Sequence, residues 1–63
     1  MITYDIDEFA EVVKREGLEY TIIYYINPEG ITDTKLRELV KQAARALDKI
    51  EEYLKENLGD DWE

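Results

Sequence analysis

Sixty-three residues with a formal net charge of −8, no cysteine and no histidine exclude disulfide scaffolds, thiolate chemistry and the usual zinc sites. The acidity argues against a nucleic-acid binder, whose footprint is normally basic. No apolar run approaches the ~18 residues of a membrane span, and Met1 leads straight into patterned sequence, so the expected setting is cytoplasmic, with no membrane and no cofactor.

Met1 to Tyr4 is read as a short strand, with Ile2 and Tyr4 on one side. Asp5 follows as a helix N-cap, with Glu8 completing a capping box and Tyr4 and Phe9 placed as a hydrophobic staple. The first helix is expected over about Ile6 to Glu16, with Ile6, Phe9, Ala10 and Val13 inward and Gly17 as its stop.

Leu18 to Asn27 alternates as a strand. Leu18, Tyr20, Ile22, Tyr24 and Ile26 form the expected core face; Glu19, Thr21, Ile23, Tyr25 and Asn27 form the other. Asn27-Pro28-Glu29-Gly30 has turn chemistry. From Asp33 to Leu58 the residues Leu36, Val40, Ala43, Leu47, Ile50 and Leu54 recur at spacings of four and three, which predicts one long helix on the order of 38 Å in length. Gly59 is expected to end it and release the acidic tail, residues 59–63, from a single domain over residues 1–58.

These elements predict an α+β fold: a β-α-β-α two-layer domain, with a two-stranded sheet covered on one face by a short and a long helix. The first helix makes a right-handed crossover between parallel strands. Two strands are too few to stand alone, so dimerisation through the sheet edge is expected to extend the sheet.

Charge is unevenly distributed. Residues 1–34 carry eight acids and two bases, residues 35–58 five acids and six bases, and the last five residues three acids. Abundant Lys and Glu with scarce Asn, Gln, Met and Cys is the composition of hyperthermophile proteins and of idealised designed sequences, and the uniform capping, turn and binary patterning has the style of the latter. Thermostability is expected from either.

Asp5-x-Asp7-Glu8 could offer carboxylates to a hard cation, but acids in a first helical turn cap free N–H groups and complement the macrodipole, and that reading is preferred. Arg37, Lys41, Arg45 and Lys49 form a basic row every four residues, read as a solvated face with acids within reach. No nucleophile–base pair, phosphate-cradling glycine loop or metal-ligand spacing stands in the sequence, so an enzyme is not expected. The surface residues singled out are Ile23, Tyr25 and Thr21 on the outer strand face, Tyr53 on the flank of the long-helix stripe, and Trp62 as an anchor between acids. They point to a non-catalytic structural or protein–protein interaction module that self-associates, as a homodimer or with another protein. The alternative is an acidic DNA-mimic inhibitor presenting Asp5, Asp7, Glu8, Glu11, Asp33 and the tail to a basic protein site.

Overall fold

A computed structural model describes residues 2–62, without the side chain of Asp61. The chain folds into helices: α1 (Ile6–Glu16), α2 (Leu18–Tyr20) running on into a π-helical turn (Thr21–Tyr25), α3 (Thr34–Lys41) and α4 (Leu47–Leu58). Single 3-10 turns occupy Pro28–Gly30, Ala43–Arg45 and Gly59–Trp62.

α1 has the limits its signals predict. Asp5, in extended conformation, accepts the Glu8 N–H at 2.8 Å, and Gly17 stops the helix at φ 90°, a backbone conformation other residues rarely adopt. Phe9, Ala10 and Val13 are buried at the three-to-four spacing of one helical face.

The α+β expectation is overturned. Among the described residues there is no strand and no sheet; the first predicted strand reduces to one isolated parallel bridge between Tyr4 and Ile31, and its Met1 lies outside the described residues. Tyr4 donates to Gly30 O at 2.7 Å and accepts from Thr32 N at 2.8 Å, which ties the N-terminal segment to the turn before α3. Gly30 is required there, because a Cβ on it would stand 2.5 Å from the Ile2 carbonyl oxygen. Gly30→Ala is expected to cost about 1–3 kcal/mol, the usual cost of overpacking, read as a lower urea midpoint by circular dichroism.

The second predicted strand is helical for a related reason. With so short a partner, an extended Leu18–Asn27 would leave its backbone groups without a ladder, whereas a helix satisfies them internally. The same residues also carry a helical face: Leu18, Thr21, Ile22 and Ile26 turn inward. The Ile26 N–H reaches Thr21 O at 3.0 Å, five residues back, and this wider turn moves the inward position from Tyr25 to Ile26. Thr21, fully buried, satisfies its hydroxyl by donating to Gly17 O at 2.7 Å. Tyr20 and Tyr24, placed in the core by the alternating pattern, stand exposed instead.

The predicted long helix is broken in the middle. Gln42 (φ −100°, ψ 19°) ends α3, and Ala46 (φ −134°, ψ 17°) precedes α4. The molecule's longest dimension is 30 Å, less than the ~38 Å of a straight helix over that stretch. Sixty-three residues cannot cover so long an apolar stripe, so α4 folds back on α3. Leu36, Ile50 and Leu54 are thereby fully buried, each worth roughly 1.5–3 kcal/mol relative to exposure. The core they form includes Phe9, Ala10 and Val13 of α1, Ile26, Ile31, and Leu39 and Val40 of α3.

Gly59 (φ 59°) ends α4, but the chain does not detach there. The 3-10 turn brings half-buried Trp62 against the core, where it lines a cleft with Asp48, Glu51, Glu52 and Lys55 of α4.

Candidate functional site

The surface feature that stands out is apolar and lies on α2 and its π turn. Tyr20, Ile23 and Tyr24 point outward at spacings of three and one, and are 60%, 59% and 70% exposed. The rings of Tyr20 and Tyr24 are one turn apart, with centroids 5.1 Å apart and planes tilted by 43°. Tyr25 extends the patch. No charged residue occurs from Tyr20 to Pro28, in a chain where more than a third of residues are charged. Beside the patch, Ile22 and Ile23 face Ala43, Ala44 and Leu47 across a shallow groove with Glu19 at its rim. The groove therefore opens at the break between α3 and α4.

The five surface residues expected from the sequence separate into different environments. Ile23 and Tyr25 belong to the exposed patch, but Thr21 is at the bottom of the helix with its hydroxyl occupied. Trp62 packs against the core. Tyr53 holds two helices together: its hydroxyl lies 2.9 and 2.8 Å from the two carboxylate oxygens of Asp33, and the same Asp33 caps α3 by accepting Leu36 N–H at 2.9 Å. Tyr20, Tyr24 and Leu47 join the surface although alternation or the heptad stripe assigned them to the interior. Helical spacing of Tyr20 and Tyr24 is the signal that finds them.

Burial and the hydrogen bond to the Asp33 carboxylate raise the Tyr53 hydroxyl pKa above its usual value. A raised native pKa means that the unfolded chain releases this proton first as pH rises. The stabilisation is complete below pH ~10 and is lost above it, through the native value. Tyr53→Phe is expected to lower stability at neutral pH by about 1.5–3 kcal/mol, the net worth of a hydrogen bond to a charged group. It should also flatten the alkaline decline in urea midpoint relative to the parent.

Three of the acidic and basic candidates, Asp5, Asp33 and Lys41, are engaged within the fold. Asp5 caps α1 and Asp33 serves α3 and Tyr53. Lys41 pairs with Glu29 at 2.9 Å and, through that hydrogen bond and its charge, holds the Glu29 carboxyl below its ordinary pKa. The row Arg37, Lys41, Arg45, Lys49 is interrupted by the 3-10 turn at Ala43–Arg45. Among the described residues no group of three or more acidic side chains is placed to hold a metal ion, and no helix is long and apolar enough to cross a membrane. No family profile, curated protein or solved structure matches the chain.

Proposed function

We propose that this protein is a non-catalytic interaction module that self-associates through the patch formed by Tyr20, Ile23, Tyr24 and Tyr25. The observation that carries this reading is the exposure of four large apolar side chains within six residues, in the longest uncharged part of a strongly acidic chain. Contiguous exposed apolar area of this kind marks contact surfaces, and aromatic side chains dominate such contacts. Two copies, each at −8, repel least where charge is absent, and the patch meets that condition.

Light scattering over a concentration series tests the reading. The parent chain should show a dimer mass at high concentration. Ile23→Glu with Tyr24→Glu should weaken dimerisation by about a hundredfold or more, the effect of losing roughly 2–3 kcal/mol of central contact, while leaving helix content unchanged. A parent chain that keeps its monomer mass throughout the series would refute it.

A further inference from the structure

The break between α3 and α4 lacks the residues that normally make one. Neither glycine nor proline occurs between Gly30 and Gly59, and the break itself reads Gln42-Ala43-Ala44-Arg45-Ala46, all of them good helix formers and none a breaker. Its backbone bonds are of the poorer 3-10 kind: Arg45 N donates to Gln42 O at 2.9 Å and Ala46 N to Ala43 O at 3.2 Å. The apolar stripe nevertheless runs through it without interruption, from Val40 to Ala43, Leu47 and Ile50 at spacings of three, four and three. The break throws that stripe out of line. Ala46 is buried in place of Leu47, which stands 36% exposed.

We infer that α3 and α4 straighten into one continuous helix in a dimer, in which each copy receives α4 of the other in place of its own. The inference rests on the self-association reading and adds the helix pair to the apolar patch as a second contact. Within one copy, the bond from Tyr53 to Asp33 at 2.8 Å shows that α4 runs back along α3. In a continuous helix these two residues stand about 30 Å apart, and each re-forms its bond with the other copy. That pairing sets Leu36 against Ile50 and Val40 against Ala46, and it places the two-fold axis at Ala43, inside the break. A small residue at the axis lets the two helices approach closely. Leu47 returns to the stripe and is covered.

Charge fits a second copy as the occupant. The helix segment, residues 35–58, has a balance of +1 against −6 for residues 1–34, so the copies meet along the least acidic part of the chain. Residues 35–45 carry four bases and one acid, and residues 46–58 four acids and two bases; an antiparallel pair sets the positive half of one helix against the negative half of the other. Exchange of an identical element reuses contacts already present in the monomer and adds only the hinge, which is why it is a low-cost route to a dimer.

The absence of cysteine allows labels to be placed cleanly on Lys35→Cys/Glu56→Cys, two residues that line one cleft in the monomer. Doubly labelled chains diluted into unlabelled protein should give a short intrachain distance at low concentration by electron–electron spin resonance. The isolated dimer should give about 32 Å, the span of twenty-one residues of straight helix. Ala43→Gly with Ala44→Gly should raise the dimer dissociation constant on the order of a hundredfold, because glycine disfavours the continuous helix in both copies. A dimer that keeps the short intrachain distance overturns the exchange; if Ile23→Glu with Tyr24→Glu then disperses it, self-association through the patch still stands. A monomer at every concentration overturns both.

Discussion

Phe9→Ala is expected to leave a large fraction of the chain unfolded in water at 25 °C. Phe9 is at the middle of α1, fully buried at 0% exposure among side chains from every major helix of the core. Truncating a buried phenylalanine costs about 3–5 kcal/mol, through lost transfer energy and the cavity left behind. A domain of this size has about 3–9 kcal/mol of stability in total, and the chain has neither Cys nor His to reinforce it. Urea unfolding followed at 222 nm and extrapolated to water should therefore show either a strongly lowered midpoint or no native baseline. Tyr24→Ala, removing a ring of similar size from a 70% exposed position, should change the stability of the monomer by no more than about 0.5 kcal/mol.

Asp33→Ala is expected to be the most damaging substitution of a charged residue, at about 2–3 kcal/mol. Two donors end on this one carboxylate: the Leu36 N–H at 2.9 Å and the Tyr53 hydroxyl, which lies 2.9 and 2.8 Å from its two oxygens. An N-cap contributes about 1 kcal/mol, and a hydrogen bond to a charged group about 1.5–3 kcal/mol. Asp33→Asn keeps a capping oxygen and should recover about half of the loss. A double-mutant cycle with Tyr53→Phe isolates the coupling, which should be about 1 kcal/mol or more because the two groups are in direct contact. Coupling near zero would show that the cap alone accounts for the effect.

Local signals in the sequence were legible where they describe a single turn. The Asp5 cap, the Gly17 stop and the Asn27–Gly30 turn all stand where the residue types put them. What the sequence did not reveal was the consequence of chain length. Leu18 to Ile26 satisfies a period of two, but Leu18, Thr21, Ile22 and Ile26 also satisfy a helical face, and β-branched and aromatic residues make the first reading look stronger. Tertiary context chose the second, because among the described residues there is no other strand for it to pair with. The stripe from Leu36 to Leu54 has the periodicity of one helix, and nothing local marks Gln42–Ala46 as its fold-back point. That point is set by the need to cover apolar surface with a short chain. The apolar patch was half legible: Ile23 and Tyr25 were assigned to the surface under a strand pattern, while Tyr20 and Tyr24 required the helical one.

The π turn has a consequence for the unfolded chain. Thr21-Ile22-Ile23-Tyr24-Tyr25-Ile26 is a six-residue window of high β-propensity without charge, glycine or proline, the composition of a steric zipper. In the native molecule the window is wound into a helix and not extended, so it has no strand edge to offer a neighbour. Its freedom from fibre formation is thus conferred by folding, with the repulsion between copies of charge −8 as the remaining barrier once the helix opens. Acid and salt both lower that barrier, the first by protonating carboxylates and the second by screening them. The conditions most hazardous to this protein are therefore those that loosen the helix and neutralise the chain together.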